Sequence, residues 1–296
     1  MKVFIVGASG YIGGAIADRL VGQGHEVVGL ARSAKAAEAL GGKGVRAYLG
    51  EVGDIERWID RAVEADAVVF AWRAFDLDTF RETDTAAVRA VLARLAGSEK
   101  AFLYVTGSLG TGDTGSATEV DVDTPDDPPV FLAWRSALEA EIRRSSQAGV
   151  RSVVVRAPMV YGRASGFIAE SLLADVSTSG RVHHVGDGDN LLAFVHVDDL
   201  AELCVRAVRT APAGALYLAT NGESLSYRDF AVRASHALGA GGAVASLPLQ
   251  AALAAMGPFA EALTYSQRLS GAAAGRELGW SPAMHGIDTE LRLIKG

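Results

Sequence analysis

The chain of 296 residues contains a single cysteine, Cys204, which excludes an internal disulfide and any multi-cysteine metal site. Cys204 falls in DDLAELCVRAV, an apolar helical face, so a packing role is expected rather than a reactive thiol. Positive charge is also scarce. Against 35 Asp and Glu stand 28 Lys and Arg, for a net charge of −7, and no basic cluster could neutralise a row of phosphates. No nucleic-acid partner is expected. Long hydrophobic runs are missing as well: Gly or charge breaks each one before the ~20 residues that a membrane span needs. The opening MKVFIVGASG meets glycines too soon to act as a secretion signal. A soluble, cytoplasmic protein with no membrane partner is the expectation. His183, His184 and His196 lack metal-like spacing with carboxylates on one helix face, so no metal site is expected. What is present is 49 % apolar residues, enough to bury a substantial core.

Those apolar residues are arranged in a rhythm. KVFIVGA (2–8), EVVGLAR (26–32), GVRAYLG (44–50), DAVVFAW (66–72), AFLYVTG (101–107) and RSVVVRA (151–157) read as strands, nearly continuous in apolar character as in a parallel sheet covered on both faces. Helical segments lie between them near 11–22, 34–40, 54–64, 77–96 and 130–148. The alternation predicts an α/β fold, a Rossmann-type doubly wound parallel sheet with right-handed crossovers. After residue 162 the rhythm changes. RVHHVGDGDNLLAFVHVDDL predicts a hairpin leading into a helix capped by Asp198 or Asp199. GALYLAT (214–220) adds a further strand, and SYRDFAVRASHALG (226–239) a helix opened by Ser226 and stopped by Gly239. The alanine-rich tail is helical in pattern, interrupted at Pro248, Pro258 and Pro282. The expected division is a nucleotide-binding domain of residues 1–162 and 191–222, and a small, mostly helical C-terminal substrate domain of residues 163–190 and 223–296.

VGASGYIGGAI sets Gly7, Gly10 and Gly13 between the first strand and the first helix. Glycines there permit a tight turn, let backbone N–H groups approach a pyrophosphate and let helix pack close to strand. A dinucleotide site follows from that context. Its adenosine end is read from the second strand, where an NAD site usually offers a carboxylate. GLARS offers Arg32 and Ser33 instead, which suit a 2′-phosphate, while Glu26 sits at the wrong end of the strand. NADP(H) is therefore preferred over NAD(H).

The Gly-x-x-Gly-x-x-Gly spacing resembles the short-chain dehydrogenase/reductase superfamily, and later segments resemble its extended branch, the NAD-dependent epimerase/dehydratase family. LGEV (49–52) is similar to the segment whose acidic residue contacts adenine, with Glu51 in place of the usual Asp. RAPMVYGR (156–163) looks like the turn beside the nicotinamide, and FVHVDDLA (194–201) and ELGWSP (277–282) match later landmarks. The resemblance covers essentially the whole chain. With the strand ends, it implies cofactor contacts from Gly7, Ser9, Gly10, Tyr11, Ile12, Gly13, Arg32, Ser33, Glu51, Val52, Ala71, Trp72, Thr106, Arg135, Pro158 and Met159.

It also implies a Ser, a Tyr and a Lys in catalysis, the last two spaced Tyr-x-x-x-Lys on one helix. Ser108 stands at the Ser position. The other two fall on Phe131 and Arg135, in VFLAWRSALEAE, with Glu139 four residues on. A tyrosine donates a proton to the forming alkoxide because its neighbouring lysine lowers its pKa from about 10. Phenylalanine has no proton to give, and Arg135, with a pKa above ~12, can hydrogen-bond a ribose but is no acid–base partner. Loss of a general acid removes about 10² to 10⁴ in rate.

Three readings remain open at this level. One is an NADP(H)-dependent oxidoreductase with an atypical active site, reducing a small organic substrate such as an imine or polarised alkene, or a carbonyl served by Ser108, Tyr161 or Asp113. Another is a non-catalytic NADP(H)-binding redox sensor. The third is a redox-neutral isomerase, lyase or cyclase in which Phe131 shapes an apolar wall. The loop GDTGSATEVDVDTPDDPP (112–129) is either a solvated stretch or a cover over the substrate. A homodimer is expected by analogy with the fold alone.

Overall fold

The computed structural model describes residues 1–73, 77–115, 119–284 and 286–294. Strand and helix alternate as β1 (Lys2–Val6), α1 (Tyr11–Gly22), β2 (Glu26–Ala31), α2 (Ala34–Gly41), β3 (Arg46–Leu49), α3 (Ile55–Val63), β4 (Ala67–Phe70), α4 (Leu77–Leu95), β5 (Ala101–Gly107), α5 (Ala133–Arg144) and β6 (Arg151–Ala157). There follow β7 (Met159–Tyr161), α6 (Gly166–Ser179), β8 (Val182–Val185), β9 (Leu191–His196), α7 (Val197–Thr210), β10 (Ala215–Leu218), β11 (Ser224–Ser226), α8 (Tyr227–Ala237), β12 (Val244–Leu247), α9 (Leu249–Met256), α10 (Phe259–Ala262), α11 (Ala272–Leu278) and α12 (Ile287–Leu291).

The main sheet has seven strands in the order β10-β6-β5-β4-β1-β2-β3, all parallel. Strand order reverses between β1 and β4, so the carboxyl ends of those two strands diverge into the crevice where ligands bind in folds of this kind. Alternate side chains of each strand feed two apolar layers. Val3 and Ile5 pack with Ile16 and Leu20 of α1 and Leu200, Leu203 and Cys204 of α7, whereas Phe4 and Val6 pack with Trp58 of α3, Val88 and Val91 of α4 and Leu138 and Ile142 of α5. Both faces are covered, and the near-continuous apolar runs of the strands follow from that. A separate cluster joins Tyr161, Ile168, Leu172, Phe194, Phe230, Ile287 and Leu291 beyond the sheet. Among the described residues no helix is long and apolar enough to cross a membrane.

Three sequence expectations fail here. The hairpin expected over 181–199 does not form: β8 pairs in parallel with β12, and β9 pairs with β11 and β7 instead. Leu192 and Phe194 of β9 bury against Tyr161 and Phe230, and that burial draws β9 away from its sequence neighbour. The helix after β9 is not capped by Asp198 or Asp199. His196 is its N-cap, with Nδ1 accepting the Asp198 N–H at 3.1 Å, and Asp199 instead accepts the Ala283 and Met284 amides, each at 2.9 Å, tying down the tail. Finally, the helix expected over 130–148 is α-helical only over Ala133–Arg144. It is flanked by 3₁₀ turns at Val130–Leu132 and Ser145–Ala148, which leaves Phe131 outside the regular helix. The short strands β7, β11 and β12 are unforeseen additions. Ser226 does cap α8, accepting the Asp229 amide at 3.0 Å, and Pro248 and Pro258 stand at the starts of α9 and α10, where a missing N–H costs nothing.

Candidate active site

The turn from β1 into α1 is held by contacts that exclude side chains. Gly7 has φ +96°, and a Cβ there would lie 2.4 Å from the Ala71 carbonyl oxygen; a Cβ on Gly13 would lie 2.2 Å from the Gly7 carbonyl oxygen. Gly7 thus lets β1 approach the end of β4, and Gly13 lets α1 sit directly on the turn. Gly10 is the N-cap of α1, with extended φ of −84° and no side chain competing for the first amides. The result is a backbone concavity at a helix N-terminus, the setting that binds phosphate groups. Ser9 and Gly10 are exposed at its lip, and Ile12 packs into the core beneath. Tyr11 closes one side: its hydroxyl donates to the Gly162 carbonyl at 2.7 Å, and burial raises its pKa.

At the end of β2, Arg32 is exposed and has no ion-pair or hydrogen-bond partner among the described residues. Ser33 caps α2, accepting the Ala36 amide at 3.2 Å, which leaves its hydroxyl proton to donate. Glu26 begins the same strand, six residues and about 20 Å from Arg32 at ~3.3 Å per residue. Glu51 is exposed just beyond β3, and Val52 is half-buried with its carbonyl accepting the Trp58 indole at 3.2 Å. Ala71 and Trp72 follow β4. The Trp72 backbone lines the glycine turn, but its indole points inward and donates to Asp84 Oδ1 at 2.8 Å.

Asp84 is the centre of a buried network that the sequence does not announce. Fully buried on α4, it also accepts the hydroxyl of Tyr104 from β5, and that hydroxyl accepts Arg135 Nε at 3.1 Å. The Arg135 guanidinium lies over the rings of Phe80 (5.1 Å) and Tyr104 (5.5 Å). Burial raises the pKa of Asp84, an effect that Arg135 and the two hydrogen bonds partly offset. Burial by itself would lower that of Arg135, but Tyr104 and Asp84 outweigh it and raise it. Arg135 is a fixed cation here. Only its Nε is spent, and its two terminal nitrogens make no hydrogen bond among the described residues. Phe131, half-buried in its 3₁₀ turn, brings no acid to the helix start.

Ser108 opens the 3₁₀ turn after β5 and is buried, its hydroxyl donating to Gln267 Oε1 at 2.5 Å. Gln267 in turn donates to the carbonyls of Ser108 and Gly112, both at 3.1 Å. This partner is 159 residues away, with no local signal to find it. Thr106 donates to Glu139 at 3.1 Å, and Glu139 pairs with Arg156 at 2.7 Å; all three are buried. Arg156 also takes Asp126 bidentately, with two contacts of 2.6 Å. An arginine ending an apolar strand run demands such partners, so this cluster was open to inference. Asp126 belongs to the 112–129 loop, whose residues 116–118 lie outside the described residues. The rest of the loop is tied down rather than free, with the Thr114 amide on Ser266 and the Val120 amide on Arg268, at 2.8 and 2.9 Å. Asp113 accepts the Gly115 and Ser266 amides, both at 3.0 Å, which commits its carboxylate as an acceptor.

Pro158 and Met159 are half-buried at the β6–β7 join. Tyr161 is buried, edge-on to His196 at 5.2 Å, and donates to the Met284 carbonyl at 3.2 Å; burial pushes its pKa up to about 12. That combination makes it a weak acid near neutral pH.

The profile of the NAD dependent epimerase/dehydratase family matches residues 3–219. Over 298 residues, covering 99 % of this chain and 98 % of the relative, the sequence is 32 % identical to YLL056C of Saccharomyces cerevisiae, whose own function is uncharacterised. It is 25 % identical to the 3-diazoavenalumate denitrifying reductase of a Streptomyces species over 300 residues, 95 % of this chain and 96 % of that one. Among solved structures, the dTDP-glucose 4,6-dehydratase DesIV of Streptomyces venezuelae superposes with a TM-score of 0.82, at 20 % identity over 99 % of this chain and 96 % of that one.

Proposed function

We propose that this chain, which belongs to the NAD-dependent epimerase/dehydratase family, is an NADP(H)-dependent reductase of a small organic molecule whose acceptor carbon needs no phenolic proton donor. The glycine turn fits a dinucleotide, because the space a Cβ would fill at Gly7 and Gly13 is taken by backbone, leaving the first amides of α1 open. Gly7, Ser9, Gly10 and Ile12 would hold the pyrophosphate, Arg32 and Ser33 the 2′-phosphate, and Arg135 the nicotinamide ribose. When bound, the cofactor supplies a hydride.

The observation that carries the acceptor class is the fate of the helix start: Phe131 is no acid, and Arg135 is pinned through Tyr104 to Asp84 as a permanent cation. A guanidinium stabilises negative charge but donates no proton at neutral pH. It therefore suits an enone or quinone, whose incoming electrons settle on oxygen as an enolate or phenolate that takes its proton from water; the missing acid at Phe131 is separately no loss for an iminium, which becomes an amine without a proton donor. Ser108, its hydroxyl held by Gln267, offers a hydroxyl rather than an acid. The reductase name of the Streptomyces relative supports reduction of an unusual acceptor. Residues 163–190 and 223–296 would set substrate choice. The test is NADPH oxidation across a panel of iminium, enone, quinone and simple ketone substrates. Turnover of the first three, with ketones slower by about 10² or more, is expected; silence across the panel overturns the reading.

A further inference from the structure

The turn from Gly7 to Gly13 contributes no cation of its own, and two contacts fix what stands over it. On one flank, a Cβ on Gly7 would meet the Trp72 Cα at 2.9 Å; Arg73 is the next residue, about 3.8 Å of Cα spacing further on. On the other, a Cβ on Gly166 would meet the Tyr11 ring at 2.6 Å, and Phe167 is the next residue. The flanks join each other. The guanidinium carbon of Arg73 lies 5.9 Å from the centroid of the Phe167 ring, which is itself edge-on to Phe259 at 5.8 Å. This contact joins the two segments that flank the glycine turn. Arg73 is exposed and has no carboxylate partner among the described residues, whereas Arg163, just beyond the Gly162 carbonyl that Tyr11 holds, is consumed by Asp18 and Asp198 at 2.7 and 2.5 Å.

We infer that Arg73 is an anion-binding residue that pairs with the pyrophosphate of the dinucleotide and rests on the Phe167 ring in its absence. The inference rests on the dinucleotide reading above and adds to it a full positive charge, where backbone amides and the helix end supply partial charges only. A guanidinium fork matches phosphate oxygens bidentately, and that pairing is stronger than a stack on an exposed ring, so the side chain exchanges one partner for the other. The position also separates Arg73 from Arg32. Arg32 stands at the end of β2, where the 2′-phosphate is expected; Arg73 stands over the turn that both NADPH and NADH share.

Titration of the full-length protein with NADPH and with NADH, without substrate and followed by tryptophan fluorescence, tests this. Arg73→Gln is expected to weaken both by about tenfold or more, to flatten the salt dependence of binding and to leave the NADPH-to-NADH ratio unchanged. Arg73→Lys should recover part of the loss. Because Arg73 is exposed, the melting temperature should stay at the wild-type value, which separates a binding defect from misfolding. Phe167→Leu removes the resting place and should bind at or above wild-type affinity. Wild-type affinity of Arg73→Gln for both nucleotides overturns the assignment, and so does a loss confined to NADPH. A wild-type protein that binds neither nucleotide overturns the dinucleotide reading itself, a result distinguishable from failure of the Arg73 assignment alone.

Discussion

Gly13→Ala and Gly22→Ala place the same methyl group at two points of one helix, and the structure predicts opposite results. At Gly13 the new Cβ would lie 2.2 Å from the Gly7 carbonyl oxygen and 2.7 Å from its carbon. Both are backbone atoms that cannot rotate away, so α1 must lift from the turn by roughly 1 Å, at the ~1–3 kcal/mol of an overpacked site. At ~2 °C per kcal/mol for a chain of this size the melting temperature should fall by about 2–6 °C. The same lift moves the first amides away from a bound phosphate. Losing two charge-assisted hydrogen bonds at ~1.5 kcal/mol each weakens binding about 100-fold. At Gly22, the last residue of α1, nothing lies within 4 Å of the new Cβ. Alanine there should be neutral or add up to ~1 kcal/mol through helix propensity, with binding unchanged. Thermal melts and NADPH titrations of the two variants, side by side, are the assay. Wild-type NADPH affinity in Gly13→Ala would refute the claim that this turn holds the cofactor.

Arg32→Glu should reverse the cofactor preference, weakening NADPH by about tenfold or more through loss of a charge-assisted pair while NADH gains; a variant that keeps the wild-type ratio in fluorescence titration contradicts the 2′-phosphate assignment. Tyr104→Phe removes the hydroxyl between Asp84 and Arg135 and leaves a buried carboxylate short of a donor, a loss of about 2 kcal/mol readable by urea denaturation; an unchanged midpoint would show that the network carries no weight. Burial raises the folded pKa of Asp84, with Arg135 and its hydrogen bonds opposing. From the ordinary carboxylate value near ~4 up to that raised value, the native state keeps a proton that the unfolded chain releases. The stability of wild type relative to Asp84→Asn should therefore fall as pH rises through that window and level off above it. A difference that grows with pH in urea melts would reverse the sign and sink the argument.

Much of what depends on a few neighbouring residues was legible. β5 spans Ala101–Gly107, the residues expected, and the glycine turn, the Ser226 cap and the Gly239 stop all occupy their expected places, because each depends on a few neighbouring residues. The failures were of two kinds: His196 displaced Asp198 as a cap and the ends of the 130–148 helix tightened to 3₁₀ turns, both locally, whereas the hairpin failed on partners far along the chain. A Gly/Asp/Asn stretch between two apolar runs is the same string whether the strands pair or part, and only the burial of Leu192 and Phe194 against Phe230 decides. Asp199 has the composition of a helix cap, yet its carboxylate meets the amides of Ala283 and Met284. The candidate site divides the same way. Gly7, Gly10 and Gly13 were legible because the turn builds itself, whereas Gln267 over Ser108 and Asp84 beneath Arg135 are products of packing. Thr106 and Trp72, expected as cofactor contacts, have side chains committed to Glu139 and Asp84.

Hydride is expected to move to an acceptor that does without a phenol. Incubating the protein with NADPH deuterated at the transferred position, and with matched iminium, enone and simple ketone acceptors, measures this most directly. Deuterium should appear on the acceptor carbon of the iminium or enone, with the ketone slower by about 10² or more. Equal labelling of the plain ketone, or no label on any acceptor while NADPH binds, would contradict it.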